Sequence, residues 1–431
     1  MYGTQLIEAL RGLNFVPSGT LRSGQPGAAV PTRTQPETGF PTIFAGEGAR
    51  ATSTIEFFGV GGEKMRATGC EIVVDAKELS VVGITEILSH LPKIWGLFHK
   101  LIAEADKRRP DLAVVIDSPA FNWRVARQMK KRGIPVVYYV CPQFWAWRQG
   151  RVRLLRKYVD KALVIFPFEE KFYRERGVNA EFVGHPLAEL PRPAISRDQY
   201  AAEHGLVASK PWITLMPGSR AKEVRMNLPG ILQAAVLLGP DYEFLLPVAP
   251  TLGSSFIQGV MDSHPSKGAK GGAASKHALH LVPHALPALT HSRAGIIASG
   301  TATIEAAMTE TPFVMVYRVT PLTYLLGRWT VKVPHFAMVN LIGGEEVVPE
   351  LVQKDFTAER VAAEVKQIIP DGAPRQKMIE GLKRVKQLLR GDLEGHAPER
   401  AARAIADLLQ SRDSGSTGED ARASTGPEDV G

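Results

Sequence analysis

The sequence has little cysteine and no long apolar run. Its two cysteines, Cys70 and Cys141, lie far apart. They predict neither a disulfide framework nor a metal site, and they favour a reducing, cytoplasmic compartment. A membrane-spanning helix is excluded because no stretch of about 18 apolar residues occurs. Residues 1–11 also lack the basic region and the small-residue cleavage site of a signal peptide.

The composition is that of a globular protein with a basic excess. Hydrophobic residues make up 44% and charged residues 22% of 431 residues, so a large core can be buried. The formal net charge of +8 suits an anionic partner such as a nucleotide, a phospholipid surface or a nucleic acid. A basic enzyme without such a partner explains the charge equally well.

Short β-branched segments alternate with helical segments along most of the chain. This alternation predicts an α/β fold with parallel, doubly wound sheets. Proline and glycine near 183–193 predict a domain junction, with an N-terminal domain at 1–186 and a C-terminal domain at 187–390. We further predict an irregular insertion at 17–54, a surface loop at 261–278, a C-terminal helix at 391–412 and a disordered tail at 413–431.

Predicted strands precede several turns that carry polar residues. In the N-terminal half the strands are expected at 55–60, 112–116, 135–139 and 162–166. In the C-terminal half they are expected at 212–216, 242–248, 279–282, 294–298 and 313–316. Ligands of open parallel sheets bind at the carboxyl ends of such strands.

Two turns of the C-terminal half have the composition of a phosphate site. Gly218, Ser219 and Arg220 follow one strand, and a second strand leads into Ser299-Gly300-Thr301-Ala302 with Glu305 further along the helix. A helix that begins at such a turn points free amide groups at one spot, and a nearby carboxylate can bind a ribose. The alternatives are an ordinary turn with a surface arginine, and a favourable acidic residue near a helix start.

Polar residues of the N-terminal half suggest a second group of ligand contacts. Asp117 follows an unbroken apolar run and can act as a general base, although an N-cap role is the favoured alternative from the pattern alone. Trp145-Ala146-Trp147 precedes Arg148 and Arg151, a combination that suits a sugar phosphate. The alternative is that one tryptophan packs in the core while the arginines are solvated.

The segment 81–102 is apolar on more than one helical face and is flanked by lysine and arginine. It suits contact with an anionic membrane or with acyl chains. A core helix buried on two sides is the alternative, and the pattern alone slightly favours it. The residues that we assign to a contact surface are Ile84, Ile87, Leu88, Trp95 and Phe98.

Together these motifs resemble the lipid-A-disaccharide synthases. The matching strings run in order over most of the chain: 58–62, 116–119, 121–122, 145–149, 182–186, 217–220, 298–302, 317–318, 339–342 and 346–350. The string Trp-Ala-Trp-Arg-Gln is the most specific of them, whereas Ser-Gly-Thr-Ala also occurs in other transferases of this fold.

The resemblance implies an inverting glycosyltransferase of the GT-B type, with two Rossmann-like domains that face each other across a cleft. Such an enzyme transfers diacylglucosamine from UDP-2,3-diacylglucosamine to 2,3-diacylglucosamine 1-phosphate and releases UDP, without a metal ion or other cofactor. It implies Asp117 as the essential carboxylate and Asn340 as a further nucleotide contact beside the two turns. We add Arg148 and Arg151 as contacts of the acceptor phosphate.

The resemblance also implies a peripheral protein on the inner face of the inner membrane, with no nucleic-acid partner, and a homodimer is a further expectation. The family's first strand and Gly-Glu-x-Ser-Gly-Asp loop do not precede Tyr2-Gly3, and the acidic residue usual at Ala120 is replaced. Two alternatives therefore stay open. One is another UDP-sugar transferase or epimerase of the same fold, and the other is an inactive, N-terminally truncated remnant that binds UDP or lipid.

Overall fold

The computed structural model describes residues 2–13, 55–79, 84–189, 191, 193–249, 251–263, 279–320, 333–392 and 394–420, with the backbone alone at 84–90 and 413–420. The insertion predicted at 17–54 lies outside the described residues. Of the loop predicted at 261–278, residues 261–263 form the end of a helix that runs to Ser263. The rest of this predicted loop lies outside the described residues.

The described residues contain strands spread along both halves of the chain. In chain order they are β1 Phe58–Gly61, β2 Glu71–Asp75, β3 Ala113–Ile116, β4 Val136–Tyr139, β5 Lys161–Val164, β6 Ala180–Phe182, β7 Trp212–Met216, β8 Glu243–Pro247, β9 Leu279–Val282, β10 Ala294–Ala298, β11 Phe313–Tyr317 and β12 Glu350–Val352. Three strands predicted at 212–216, 279–282 and 294–298 have the same bounds in the structure.

Helices separate most of the strands. In chain order they are α1 Tyr2–Gly12, α2 Glu63–Ala67, α3 Ala76–Leu79, α4 Ile84–Arg108, α5 Pro119–Lys131, α6 Val152–Tyr158, α7 Pro167–Arg174, α8 Arg197–His204, α9 Ala221–Leu238, α10 Gly253–Ser263, α11 Ala285–His291, α12 Thr301–Thr309, α13 Met338–Gly343, α14 Ala358–Ile368, α15 Ala373–Arg390 and α16 Ala397–Asp420.

The strands form sheets of two, four and six strands, in the orders β1-β2, β3-β4-β5-β6 and β12-β11-β10-β7-β8-β9. The neighbours in the six-stranded sheet are parallel, as are β1 with β2 and β5 with β6. Every residue of β4 and β10 is buried, as expected for strands covered by helices on both faces. The predicted α/β class with parallel sheets is confirmed.

The chain divides into two compact units. The first comprises 1–116, 120–137 and 398–431, and the second comprises 117–119 and 138–397. In the first unit, apolar residues of α4 and α5 such as Leu101 and Met129 are buried. In the second, the core includes Trp212 and Ile296 of adjacent strands. The predicted boundary at 186 stays a prediction.

The last helix differs from its sequence prediction. We expect a helix at 391–412 and disorder from 413, whereas α16 begins at Ala397 and continues to Asp420. Extending an established helix costs much less than starting one, because each added residue gains a hydrogen bond. Polar composition alone therefore gave the wrong end for this helix.

Candidate active site

The two predicted phosphate turns lie at the same edge of the six-stranded sheet. β7 and β10 are parallel neighbours, and Met216 at the end of β7 is paired with Ile297. The turn at 217–220 leaves β7, and the turn that starts with Ser299 leaves β10. The fold thus brings together two segments that are far apart in sequence, at the edge where parallel sheets bind ligands.

A carboxylate occupies the first turn. The backbone N–H groups of Ser219 and Arg220 donate to Oε2 of Glu223 over 3.1 and 3.3 Å. Arg220 Nη1 donates to Oε1 of the same residue over 2.6 Å. Gly218 has φ +123°, and a Cβ there would lie 2.6 Å from the Cβ of Glu223. The turn therefore needs glycine, and its donors already bind one anionic group.

A buried asparagine ties this turn to the next strand but one. Asn227, on α9, is fully buried, and its Nδ2 donates to the Pro217 carbonyl over 3.0 Å. Its Oδ1 accepts the backbone N–H of Arg318, just after β11, over 2.8 Å. The Arg318 guanidinium stacks on the Phe356 ring at 4.6 Å. Burial, followed by the charge of Glu223, raises the pKa of Tyr317 at the end of β11.

The second turn opens directly into a helix. Gly300 has φ +137°, and α12 begins at the next residue, Thr301. The amide groups of a helix's first turn have no partner within the helix, so this end favours an anion. Ser299 Oγ donates to the Phe336 carbonyl over 2.7 Å. Burial raises the pKa of Glu305, which lies one turn into the helix.

Asn340 belongs to the segment 336–350, which is joined to this turn by the hydrogen bond from Ser299 to Phe336. The Asn340 side chain is buried rather than directed to the surface. It is fully buried, and its amide donates to the Val348 carbonyl at 2.9 Å and to Glu350 Oε1 at 2.8 Å. Its oxygen accepts the N–H groups of Val347 and Val348, each at 2.9 Å. This uses the full hydrogen-bonding capacity of the amide. Asn340 therefore holds the segment in shape rather than offering its side chain to a nucleotide.

Glu350 is a residue of this site that the motifs did not assign to the nucleotide contacts. Its carboxylate accepts the N–H groups of Phe336 at 2.9 Å and Ala337 at 3.0 Å. It thereby fixes the start of α13 and the Phe336 carbonyl to which Ser299 donates. The sequence signal that could have pointed to Glu350 is its place in the matching string 346–350.

Asp117 lies in a strained turn after β3. Both Asp117 and Ser118 have positive φ, +49° and +39°. The turn is held because Asp117 N–H donates to the Tyr139 carbonyl at 3.1 Å and its own carbonyl accepts the Tyr138 hydroxyl at 2.7 Å. The Asp117 residue is exposed, and α5 begins at Pro119. Positive φ at two successive non-glycine residues is a strain typical of functional sites, and the base role and the N-cap alternative for Asp117 both stay predictions.

The aromatic and basic segment has one buried and one exposed tryptophan. Trp145 is 6% exposed and Trp147 is 46% exposed. Arg148 is left-handed, with φ +58°, and its guanidinium lies 4.4 Å from the centre of the Trp147 ring. Arg148 and Arg151 are both exposed. The structure thus shows one tryptophan packed in the core and a second that carries an exposed cation, and contact of this segment with a sugar phosphate stays a prediction.

Helix α4 presents part of the predicted contact surface. Trp95 is 52% exposed and Leu91 is 49% exposed. Phe98 does not belong to this surface, because it is 4% exposed and packs edge-on against Phe121 at 6.0 Å. The side chains of Ile84, Ile87 and Leu88 lie outside the described residues. Among the residues that the structure describes, no helix is long and apolar enough to cross a membrane.

The parallel α/β sheets place the chain in the GT-B class of fold, which solved structures share. The UDP-GlcNAc 2-epimerase of Neisseria meningitidis bound to UDP-GlcNAc matches with a TM-score of 0.55 at 11% identity, over 83% of this chain and 100% of its own. The S. aureus MnaA–UDP structure matches with a TM-score of 0.53 at 14% identity, over 82% and 97%. At such identities these likenesses concern the fold alone.

Sequence relatives narrow the class to one family. The model of the lipid-A-disaccharide synthetase family matches residues 45–405. The lipid-A-disaccharide synthase of Koribacter versatilis is 52% identical over 83% of this chain and 92% of its own length. That of Acidobacterium capsulatum is 45% identical over 83% and 90%. The chain belongs to the lipid-A-disaccharide synthetase family and is a glycosyltransferase of lipid A biosynthesis.

Proposed function

We propose that the protein transfers diacylglucosamine from UDP-2,3-diacylglucosamine to the 6-hydroxyl of 2,3-diacylglucosamine 1-phosphate. The products are a β-1′,6-linked disaccharide 1-phosphate and UDP. The observation that carries the proposal is the convergence of the 217–220 and 299–302 turns at one sheet edge in a chain of this family. The two turns supply the donors that a departing diphosphate requires.

In this proposal the diphosphate replaces Glu223 in the first turn. The amide groups of Ser219 and Arg220 and the guanidinium of Arg220 already converge on one carboxylate, so they can converge on phosphate oxygens. The start of α12 supplies further amide groups, and Glu305, one turn into that helix, binds the ribose hydroxyls in this proposal. These donors stabilise the negative charge that develops on UDP as the glycosidic bond to the donor sugar breaks.

Asp117 is the proposed general base. It takes the proton of the acceptor 6-hydroxyl while the hydroxyl oxygen attacks C1 of the donor sugar from the face opposite UDP. The C1–oxygen bond to the diphosphate then breaks, and its electron pair leaves with UDP, which inverts C1. A positioned base of this kind typically contributes about 10²- to 10⁴-fold in rate.

The exposed cations and aromatics are assigned to the acceptor and to the membrane. Arg148 and Arg151 bind the acceptor 1-phosphate, since arginine suits the two-oxygen recognition of phosphate. Trp95, with Leu91, contacts acyl chains or the inner face of the inner membrane, which suits two lipid substrates. A homodimer stays a prediction.

The test is an assay of Asp117→Asn with both lipid substrates. Asp111→Asn is the matched control, because Asp111 is an exposed aspartate that precedes β3 rather than following it. We expect Asp117→Asn to lower turnover about 10²- to 10⁴-fold with UDP affinity unchanged, and the control to behave as wild type. Normal turnover of Asp117→Asn would refute the base assignment. Epimerised UDP-sugar in place of disaccharide would refute the reaction itself.

A further inference from the structure

Glu169 is a buried carboxylate that the proposed chemistry does not use. It lies on α7 and is fully buried. Its Oε2 accepts the backbone N–H groups of Ile165 at 3.2 Å and Phe166 at 3.1 Å. Its Oε1 accepts the indole N–H of Trp145 at 2.8 Å, from a residue distant in sequence. The hydrogen bonds from the two backbone amides cap the start of α7, whereas the hydrogen bond from the indole is not part of that cap.

The indole bond fixes a tryptophan that is held at its other end as well. The Trp145 ring packs edge-on against Phe168 at 4.9 Å and against Phe166 at 6.4 Å. Its backbone carbonyl accepts Nε2 of Gln149 over 3.0 Å. Trp145 therefore anchors both ends of the short segment that runs from its own position to Gln149.

The anchored segment carries the exposed cation–aromatic pair. Trp147 and Arg148 lie between the two anchor points, and Arg148 keeps a left-handed backbone with its guanidinium over the Trp147 ring. A non-glycine residue in that conformation is strained and persists only where the surroundings impose it. Arg151 lies two residues beyond Gln149, directly before the first residue of α6. The anchor at Trp145 supplies the constraint that this conformation needs.

We propose that Glu169 is a positioning residue of the acceptor site. By holding the Trp145 indole it sets the direction in which Arg148 and Arg151 meet the phosphate of the acceptor. The inference rests on the proposed function, and it assigns to Glu169 no contact with either substrate. Burying a carboxylate is costly unless it accepts several hydrogen bonds, and Glu169 accepts three.

The protonation state of Glu169 gives the proposal a pH signature. Burial raises its pKa to about 7, although the bonds from Trp145 and the two amides lower it. Of the described titratable groups near it, Cys141 and Tyr173 have pKa values raised by burial. His185, beyond the Phe166 ring, has its pKa lowered by burial to about 4. All three are uncharged at neutral pH, so the change of charge there belongs to Glu169.

Protonation turns one carboxylate oxygen into a donor, although three N–H groups still need acceptors. The indole bond is the one that reaches outside the local helix cap, so we expect it to loosen as the pH falls through about 7. The acceptor phosphate itself gains a proton near pH 6, which also weakens its binding to cations. The contribution of the anchor is therefore the part of the fall in acceptor affinity between pH 8 and pH 6 that depends on Glu169.

Glu169→Gln is the decisive variant, because it keeps the size of the side chain but leaves one acceptor oxygen. We expect the acceptor KM to rise about tenfold, equivalent to one lost hydrogen bond, with kcat within twofold and UDP affinity unchanged. The acceptor KM of the variant then depends less on pH than that of wild type, since only the titration of the acceptor phosphate remains. Glu170→Gln is the matched control, since Glu170 is the next residue and pairs with Arg174 at 2.7 Å on the surface. The control retains the wild-type KM and pH profile.

A second measurement does not depend on turnover. In protein labelled with ¹⁵N-tryptophan, the indole signal that disappears in Trp145→Phe belongs to Trp145. We expect this signal to shift with pH in wild type and in Glu170→Gln, with a midpoint near 7, and to be independent of pH in Glu169→Gln. A Trp145 signal at the same position in Glu169→Gln as in wild type at pH 8 would overturn the anchor even if the enzyme forms disaccharide.

The outcomes separate the two proposals. Titration of the Trp145 signal without disaccharide formation contradicts the proposed reaction and leaves the anchor supported. Disaccharide formation with a wild-type acceptor KM in Glu169→Gln overturns the positioning role. If Glu169→Gln does not fold, Trp145→Phe tests the same link, because it removes the indole N–H and keeps an aromatic ring. An unchanged acceptor KM in Trp145→Phe then overturns the proposal.

Discussion

Removing the Arg220 side chain tests the nucleotide site with little risk to the fold. The side chain is 80% exposed, and it pairs at 2.6 Å with Glu223, three residues further along the chain. Exposed ion pairs typically contribute about 0.2–1 kcal/mol to stability. We therefore expect Arg220→Ala to unfold at nearly the same urea concentration as wild type.

The effect on UDP is expected to be much larger. A hydrogen bond from a charged group contributes about 1.5–3 kcal/mol, so losing it weakens UDP binding about 10- to 150-fold. The amide groups of Ser219 and of residue 220 remain in the variant, which leaves residual binding. The loss is greatest at low salt, because the contact is between opposite charges near the surface.

Calorimetric titration of UDP into wild type and Arg220→Ala measures this loss. Arg225→Ala is the matched control, since Arg225 lies on the same helix and carries the same charge, and its guanidinium packs over Phe256 at 5.0 Å instead. The control should bind UDP as wild type does. Equal UDP affinity in Arg220→Ala and wild type would refute the phosphate role of the 217–220 turn.

Three further predictions follow from the site and its surroundings. Glu223→Gln should bind UDP about tenfold more tightly by calorimetry, because the diphosphate no longer displaces a charge; weaker binding would contradict this. Burial lowers the pKa of His185 from 6.5 to about 4, so the unfolded chain binds more protons between these values. Stability is then lost as the pH falls from 6.5 to 4, by about 3 kcal/mol, and urea unfolding of His185→Gln should lack this loss. Trp95→Ser should reduce binding to anionic vesicles with a smaller loss of stability than Phe98→Ala, which should cost about 3–5 kcal/mol in urea unfolding; the reverse pattern would refute the assignment of the two faces.

The sequence predicts β7, β8, β10 and β11 of the six-stranded sheet well because they are buried on both faces. The runs at 212–216 and 294–298 are almost uninterrupted apolar segments bounded by turn residues, a pattern with few alternatives. The strands β2, β6 and β12 were missed. Each is short and contains an acidic residue, and each is a strand only because a neighbour pairs with it.

The two turns of the candidate site were easier to predict from the sequence than the directions of the side chains around them. Glycine and small residues after apolar runs indicated both turns, because few residues tolerate the φ values of Gly218 and Gly300. The inward direction of Asn340 depends on residues several positions away and on the path of a loop. Likewise, helical spacing predicts that α4 is amphipathic, but it does not show whether Phe98 lies on the exposed or the buried side of the helix.

The measurement that tests the account most directly is the product analysis of the wild-type protein with its two proposed substrates. UDP-2,3-diacylglucosamine and 2,3-diacylglucosamine 1-phosphate are supplied in mixed micelles without added metal. The account predicts equal amounts of UDP and of a β-1′,6-linked disaccharide 1-phosphate. Release of UDP without a disaccharide, or a disaccharide with the opposite anomeric configuration, would contradict it.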